Sequence, residues 1–466
     1  MTASTLAALG CERILALAPR EQRALRDAVE AEARRRRFFH RRTEGARPTP
    51  HPIALTPFVL PGRLTPVLHR LARAVHRFQA RAPELYLRGL ENFRDLCPLD
   101  EVTEAWLFRY GHPLPEVGDL LIRLDVGLTS RGAGLQPVLY ETNSTALAGL
   151  FNHSVGVRIL RRLVFPRLFS QRELRGLQDP PDLLRLVFHW VGQSARRVRP
   201  RPRGQSQVAF VEPAGPGEGY SEIPQIVAYF RAAGIPASCG DPGTLRLRGG
   251  EVLLGGRPVS LVYRDLPFED LGPPGSGSRL AGFAELLTRG AVIPGFSAEF
   301  DQKGILECLT SEVYRGFFSA QDRKLLARCV PWTRVLRERK TASPSGATAD
   351  LFRYARREQD RLLIKPNQGS GGEGILLGAE TSASRWERRL ERAAREPGRW
   401  VVQERVRSAP TPMAYLQDNR IHVAPCYASI GLFYAQDRLG FHCRVSRTPV
   451  VNVAKGGALA CVFLTN

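Results

Sequence analysis

Residues 1–112 space their apolar side chains three and four positions apart, which is the period of a helix with one buried face. The runs "PREQRALRDAVEAEARRRRFF" and "LTPVLHRLARAVHRFQARAPELY" carry this pattern most clearly. The pattern predicts a helical N-terminal region that serves mainly as scaffold.

Strand patterns take over in the next regions. Two alternating apolar runs in "GDLLIRLDVGLTSRGAGLQPVLYETNSTALAGLFNH" flank a glycine-containing turn, which predicts a β-hairpin within residues 113–200. An Arg- and Pro-rich stretch at 196–204 predicts a linker. The runs "SQVAFVEP", "YSEIPQIVAYFRAAG", "IPAS" and "RPVSLVYRDLP" then predict an α/β domain over residues 205–295. From about Phe296 a helical stretch, "SAQDRKLLARCVPWTRVL", leads into a last region, 296–466.

Composition indicates a globular protein. The chain has 466 residues, of which 43% are hydrophobic and 24% charged, enough apolar material for two or three packed domains. No apolar run approaches the roughly eighteen residues of a membrane helix, and Glu and Arg interrupt the N-terminus before a signal-type core forms. We therefore expect a cytoplasmic protein with no membrane partner.

The eight cysteines include no C-x-x-C pair, which argues against a zinc site and against a disulfide framework.

A net charge of +22 raises the alternative of a nucleic-acid-binding protein, because clustered cations release counterions from a phosphate backbone. The basic residues are spread along the chain, and only five of the 67 are lysine. Such an arginine bias is typical of GC-rich coding sequence. The densest run, "EARRRRFFHRR", is better explained as the solvated end of a helix. Nucleic acid is therefore the least favoured partner.

A glycine-rich stretch carries the first chemical signal. In "LLIKPNQGSGGEGILLG", Lys365 lies in an apolar run and precedes "GSGGEG", which formally matches G-x-G-x-x-G. A P-loop needs Lys and Ser/Thr after the last glycine, whereas Ile375 and Leu376 stand there. A Rossmann turn needs a helix to begin at the glycines, whereas "GILLG" predicts a strand. A protein kinase needs H-R-D and D-F-G motifs downstream, and the chain has neither.

The remaining interpretation is a strand, a flexible loop and a second strand. Backbone N–H groups of glycines can turn toward phosphate oxygens, and Lys365 adds a positive charge beside them. Taken alone, an ordinary glycine-rich turn explains the stretch nearly as well. Glu373 would bring a negative charge near the phosphates unless its side chain points away.

The predicted hairpin suggests a metal site. Glu141 and Asn143 are two residues apart on one strand and therefore face the same side, and Asp125 lies on the partner strand. Such oxygen ligands suit Mg²⁺, which takes one or two carboxylates and completes its shell with water and phosphates. A solvated polar face is the alternative.

The C-terminal region adds two further features. "WVVQERV" predicts an apolar strand that ends in Gln403 and Glu404, suited to meet an adenine edge and ribose hydroxyls. "FHCRVSRTPVVNVAKGG" supplies Arg444 and Asn452 beside a glycine pair. None of these features is decisive alone, but their joint presence with the glycine loop and the hairpin indicates a nucleotide site.

Together these motifs resemble the ATP-grasp enzymes, and among them the circularly permuted, glutathionylspermidine-synthase-like group of carboxylate–amine ligases. The order lysine strand, "GSGGEG", "QERV", arginine and "NVAKGG" matches the family, but the hairpin "RLD…YETN" lies more than 200 residues upstream. The resemblance covers the chain from about residue 118 onward. It implies an α/β (α+β) class of fold in which residues 113–200 are the displaced end of the ATP-grasp domain and 205–295 are a pre-ATP-grasp, Rossmann-like domain.

The resemblance also implies ATP and Mg²⁺ as cofactors and a role for each motif. Lys365 would hold the α or β phosphate, Arg444 would contact the γ phosphate and an acyl phosphate, and Lys303 or Lys340 would be a second phosphate ligand; the sequence does not choose between these two. The nucleotide would further contact a set of loop and hinge residues: Gly369, Ser370, Gly371, Gly372, Gly374, Gln403, Glu404, Val406 and Asn452. The metal ligands would be Asp125, Glu141 and Asn143.

These features favour an ATP-dependent ligase that activates a carboxylate as acyl phosphate and joins it to an amine, with an amino acid or peptide among its small-molecule substrates. An ATP-grasp phosphotransferase, or a protein that only binds nucleotide, is the first alternative. Arg264 could clamp a substrate carboxylate, although a structural salt bridge explains it equally well. His153 could reach substrate, although packing explains it better. The acids, the amines and the oligomeric state are not predictable from the sequence.

Overall fold

The computed structural model describes residues 3–39, 48–111, 120–131, 134–198, 205–213, 221–275, 278–369, 371–451 and 456–465. Its α-helices are α1 (Ala3–Ala16), α2 (Pro19–Arg35), α3 (Thr65–Gln79), α4 (Ala82–Leu87), α5 (Phe93–Leu96), α6 (Glu101–Tyr110), α7 (Asn152–Ile159), α8 (Phe165–Leu168), α9 (Leu183–Arg197), α10 (Ile223–Ala232), α11 (Ala281–Thr288), α12 (Gly304–Thr310), α13 (Ala320–Cys329), α14 (Leu351–Arg357) and α15 (Ala383–Arg395).

Its strands alternate with these helices along the chain. They are β1 (Ile53–Ala54), β2 (Phe58–Pro61), β3 (Ile122–Arg131), β4 (Gly134–Asn143), β5 (Leu177–Gln178), β6 (Gln207–Val211), β7 (Ala237–Gly240), β8 (Arg246–Arg248), β9 (Glu251–Leu254), β10 (Arg257–Arg264), β11 (Val292–Ile293), β12 (Thr333–Val335), β13 (Lys340–Ala342), β14 (Thr348–Asp350), β15 (Leu362–Pro366), β16 (Leu376–Leu377), β17 (Trp400–Glu404), β18 (Thr411–Gln417), β19 (Arg420–Ala435), β20 (Arg438–Ser446), β21 (Ala458–Ala460) and β22 (Val462–Thr465).

The largest sheet joins the two ends of the chain. Its strand order is β18-β1-β21-β20-β19-β3-β4, so that the predicted hairpin β3–β4 pairs with a strand some 300 residues later in the sequence. Two-residue turns at Asp418–Asn419 and Gln436–Asp437, with all four residues at positive φ, connect β18 to β19 and β19 to β20. Such turns fix the register of the strands they join. The sheet therefore holds side chains from the two halves of the chain in defined rows.

The α/β unit forms a second sheet, with order β7-β6-β10-β9-β8 and β11 beside β10. The strands β6 and β10 and the helix α10 agree with the sequence prediction. A third sheet, β12-β17-β15-β16, carries the lysine strand and the predicted hinge strand. The mixed helix and sheet content confirms the predicted α/β (α+β) class.

The structure corrects two local predictions. The helical stretch predicted up to Leu336 ends with α13 at Cys329, and Thr333–Val335 forms strand β12. The N-terminal region is not only helical, because β1 and β2 pair in parallel with β21 and β22. The division into four regions stays a prediction.

Side-chain burial explains the position of the long helix α3. Pro66 lies in its first turn, where no intrahelical N–H bond is lost. Leu68, Leu71, Val75 and Phe78 are buried on one face and belong to the main hydrophobic core.

All cysteines are free, and Cys239 alone among them is exposed. In the part of the chain that the structure describes, no helix combines the length and apolarity needed to cross a membrane.

Candidate active site

The hairpin β3–β4 brings the predicted carboxylates together. Asp125 lies directly opposite Glu141, and the next pair is Val126 with Leu139, so Tyr140 is the extra residue of a β-bulge. Asn143 follows Glu141 on the same face of the strand. The predicted juxtaposition of these three side chains on one face is therefore present in the fold.

Strand β19 connects this hairpin to the arginine strand β20. Gly431 pairs with Asp125 on one side and with His442 on the other. A Cβ at Gly431 would lie 3.0 Å from the Arg123 side chain. The glycine therefore leaves room for Arg123 to lie across the sheet.

Two arginines neutralise Asp125. Arg123 Nε lies 3.0 Å from Oδ1, and Arg444 Nη2 lies 2.5 Å from Oδ2. Burial opposes ionisation of Asp125, but Arg123 and Arg444 outweigh it and hold the pKa of this carboxyl well below its usual range. Asp125 is thus a permanent carboxylate, and Arg444 approaches the cleft from β20 as the sequence predicts.

Lys365 enters the cleft from the third sheet. Its Nζ donates a hydrogen bond to the carbonyl oxygen of Tyr140 at 2.8 Å, which is the residue that the bulge removes from the regular ladder. Burial lowers the pKa of Lys365 to about 7, although Glu141 and Asp125 favour the charged form. A bound anion would strengthen that charge.

Lys303, rather than Lys340, reaches the same cleft. Its Nζ donates to the carbonyl oxygen of Gly369 at 2.7 Å and lies 3.6 Å from Glu141 Oε2. Lys340 is exposed on the β13–β14 hairpin, and neither lysine lines the cavity described below. Of the two lysines that the sequence left open, Lys303 is the one placed beside Glu141 and the glycine loop.

Asn367 fixes the start of the glycine loop, a role that sequence reasoning missed. Its Nδ2 donates to the carbonyls of Leu96 and Gly398 at 3.0 and 2.8 Å, and its Oδ1 accepts from Gly304 N–H at 2.7 Å. Its own carbonyl accepts from the backbone N–H of Lys303. Its place between Lys365 and the glycines was the available signal.

The glycine loop reaches the opposite wall of the cleft. Gly372 has φ +70°, and a Cβ there would lie 2.6 Å from Cγ1 of Val450, which follows β20. Ser370 and Asn452 lie outside the described residues. The side chain of Glu373 is exposed, and this residue does not line the cavity.

Some of these groups line a cavity of about 410 Å³, whereas Asn143, Lys303, Gly369 and Gly374 are not among its lining residues. Gln403 Nε2 donates to Thr333 Oγ1 at 2.8 Å, so β12 fixes the orientation of the hinge amide. The predicted residues that line the cavity are Asp125, Glu141, Lys365, Gly371, Gly372, Gln403, Glu404, Val406 and Arg444.

For both substrate candidates the structure favours the structural alternative. Arg264 is fully buried, lies 2.6 Å from Glu299 and donates to three backbone carbonyls, so its guanidinium is used within the α/β unit. His153 is buried, and its Nε2 accepts a hydrogen bond from Val462 N–H. Burial lowers the pKa of His153 to about 3. Each residue packs within the fold, and neither lines the cavity.

Asp301 is a further carboxylate that the sequence analysis overlooked. Its Oδ2 accepts from the backbone N–H of Ser144 at 3.0 Å, directly after Asn143. Burial raises the pKa of Asp301, and Glu141 acts in the same direction. Asp301 thus anchors the chain where it leaves the hairpin.

Comparisons with known proteins identify the fold. No protein-family model and no curated protein matches the sequence. Among solved structures, a glutathione synthetase-like effector from Globodera pallida, in its apo form, is similar, with a TM-score of 0.67. The match covers 96% of this chain and 98% of that chain at 11% sequence identity. The chain has an ATP-grasp-like fold.

The cleft is compatible with the magnesium–nucleotide that an ATP-grasp-like fold would typically bind. Its volume lies in the range of ligand pockets, and it combines Lys365 and Arg444 with two carboxylates. Among the described residues, no group of three or more His, Cys, Asp or Glu could hold a metal. Two carboxylates suffice for Mg²⁺ when phosphates and water complete its shell. The Nδ2 of Asn143 is buried without a hydrogen-bond partner within the described part of the chain, but this atom is a donor and not a metal ligand, and Asn143 does not line the cavity.

Proposed function

We propose that the protein is an ATP-dependent ligase that activates a carboxylate as acyl phosphate and joins it to an amine. The convergence of Lys365, Arg444, Asp125 and Glu141 on one cavity carries this proposal, and Lys303 lies beside it, 3.6 Å from Glu141. Lys365 lies in one sheet, Arg444 and the two carboxylates lie in another, and Lys303 immediately precedes helix α12. Cations that face carboxylates across a cleft are suited to bind a nucleoside triphosphate with Mg²⁺, because the cations bind phosphate oxygens and the carboxylates bind the metal.

Each group has a proposed role. Lys365 and Lys303 hold the α and β phosphates, and the glycine loop covers the β and γ phosphates with backbone N–H groups. Gln403–Val406 contact adenine and ribose. Asp125, Glu141 and Asn143 hold Mg²⁺, which supplies charge neutralisation when bound. Arg444, now paired with Asp125, contacts the γ phosphate.

The reaction proceeds in two balanced steps. A carboxylate oxygen of the acid attacks the γ phosphorus, the bond to the β–γ bridging oxygen breaks, and ADP leaves. The amine then attacks the acyl carbon, inorganic phosphate leaves, and the nitrogen loses a proton. Both steps depend on positioning and on stabilising negative charge, which explains why no nucleophilic side chain is required.

We further propose that the hairpin β3–β4 is the displaced end of a circularly permuted ATP-grasp domain. The antiparallel pairing of β3 with β19 supports this arrangement. In the unpermuted order of the family, the hairpin would follow β21 in the sequence instead of preceding it. The strands would still form the same sheet.

The substrates are proposed to be an amino acid or peptide and an amine. The test is ADP release over a matrix of carboxylic acids, amino acids and polyamines, with Mg-ATP present. We expect one acid–amine pair to release ADP with the wild-type protein, and Lys365→Ala and Glu141→Ala to abolish it. No ADP release with any acid–amine pair, together with no Mg-ATP binding, would refute the proposal.

A nucleotide-binding protein without ligase activity is the second candidate. It is favoured by one observation, the double pairing of Asp125 with Arg123 and Arg444, which leaves this carboxylate already neutralised. Tight Mg-ATP binding without ADP release for any pair would select it.

A further inference from the structure

Arg389 contacts the glycine loop from outside the cleft. It lies on α15, and its Nη1 donates to the carbonyl oxygen of Gly374 at 2.8 Å. Its guanidinium carbon lies 3.9 Å from the centre of the Trp400 ring, within the range of a cation–π contact. The side chain is half-buried behind the loop and is not part of the cavity lining. Arg389 therefore connects the end of the loop to a fixed aromatic surface.

Trp400 is a rigid platform for this contact. It lies opposite Pro366 in the β15–β17 pair, one residue beyond the partner of Lys365. Its ring is buried, and its Nε1 donates to Glu396 Oε2 at 3.1 Å. The position of Arg389 is thereby tied to the strand that carries Lys365.

The hydrogen bond from Arg389 orients the peptide group between Gly374 and Ile375. In a planar trans peptide the C=O and the next N–H point in opposite directions. The carbonyl of Gly374 points toward α15, so the N–H of Ile375 points away from α15. Ile375 lines the cavity. Gly374 has φ +69°, a conformation that glycine adopts without strain.

We propose that Arg389 is a positioning residue for nucleotide phosphates. By holding the Gly374 carbonyl outward, it turns the Ile375 amide toward the phosphate end of the cleft. At the other end of the loop, Lys303 holds the carbonyl of Gly369 in the same manner. The inference rests on the proposed function only for the identity of the anion, because the contact between Arg389 and the Gly374 carbonyl belongs to the fold itself.

The test compares phosphate-dependent with phosphate-independent binding. Arg389→Ala is expected to weaken Mg-ATP binding about five- to tenfold, the effect of one charged hydrogen bond and one cation–π contact, and to leave adenosine binding unchanged. Arg389→Lys, which keeps the charge but loses the planar stacking, is expected to fall between wild type and Arg389→Ala. Arg388→Ala is the matched control, because Arg388 is the preceding residue on the same helix and is exposed.

Equal losses of ATP and adenosine affinity in Arg389→Ala would overturn the proposal, and so would an equal loss of ATP affinity in Arg388→Ala. Hydrogen exchange of residues 371–377 in nucleotide-free protein provides a second readout. Faster exchange there in Arg389→Ala, but not in Arg388→Ala, supports the clamp, and unchanged exchange refutes it. If wild-type protein binds neither ligand, the proposed function fails, and the exchange rates still decide whether Arg389 orders the loop.

Discussion

Replacing Asn367 by alanine should destabilise the protein far more than its position beside a glycine-rich loop suggests. The side chain is 1% exposed and makes three hydrogen bonds, to the carbonyls of Leu96 and Gly398 and from the N–H of Gly304. Alanine would leave those three backbone groups buried without these partners. At about 1–2 kcal/mol for each group, the loss in free energy of unfolding is about 3–6 kcal/mol.

The assay is thermal unfolding of nucleotide-free protein, followed by circular dichroism. A loss of this size should lower the melting midpoint by about 6 °C or more for a cooperative unit of ordinary domain size. Gln368→Ala is the control, because Gln368 is exposed and donates one hydrogen bond, to the carbonyl of Pro98. Its midpoint should change by about 2 °C at most. Equal midpoints for the two variants would refute the view that Asn367 holds the loop in place.

Three further predictions concern the cleft and its surroundings. Mg-ATP affinity should fall as the pH rises above about 7, because Lys365, whose pKa is about 7, loses the proton that binds phosphate; titration calorimetry of Lys365→Arg should find no such fall. Gly372→Ala should weaken Mg-ATP binding, since its Cβ would lie 2.6 Å from Val450, and Val450→Ala in the same chain should restore part of the affinity; no recovery would contradict a steric cause. Arg264→Met should lower the free energy of unfolding by about 3–5 kcal/mol, because it leaves the buried carboxylate of Glu299 without its cation. The double change with Glu299→Leu should recover most of it in denaturant titrations.

Local signals explain what the sequence could predict. The hairpin with Asp125 and Glu141 was predictable because alternation and a turn set the face on which each side chain lies. The order of the Lys365 strand, the glycine loop and the hinge strand was also recognisable, because each of these motifs is a short continuous segment of the sequence. The ATP-grasp-like fold followed from their combination, and the structural similarity supports it.

Long-range packing explains what the sequence could not predict. The burial of Arg264 depends on Glu299, and the position of Lys303 beside the glycine loop depends on where α12 begins. Asn367 acquires its role from partners up to 271 positions away. No local pattern encodes such contacts, because their residues meet only after the sheets have assembled.

The central claim is that the cleft transfers a phosphoryl group from ATP to a carboxylate. Hydroxylamine tests it directly, because it traps an acyl phosphate as a hydroxamate and replaces the unknown amine. With a panel of carboxylic acids and Mg-ATP, we predict that at least one acid yields hydroxamate and ADP in equal amounts, and that Arg444→Met abolishes both. Mg-ATP binding without hydroxamate for any acid in the panel would contradict the account.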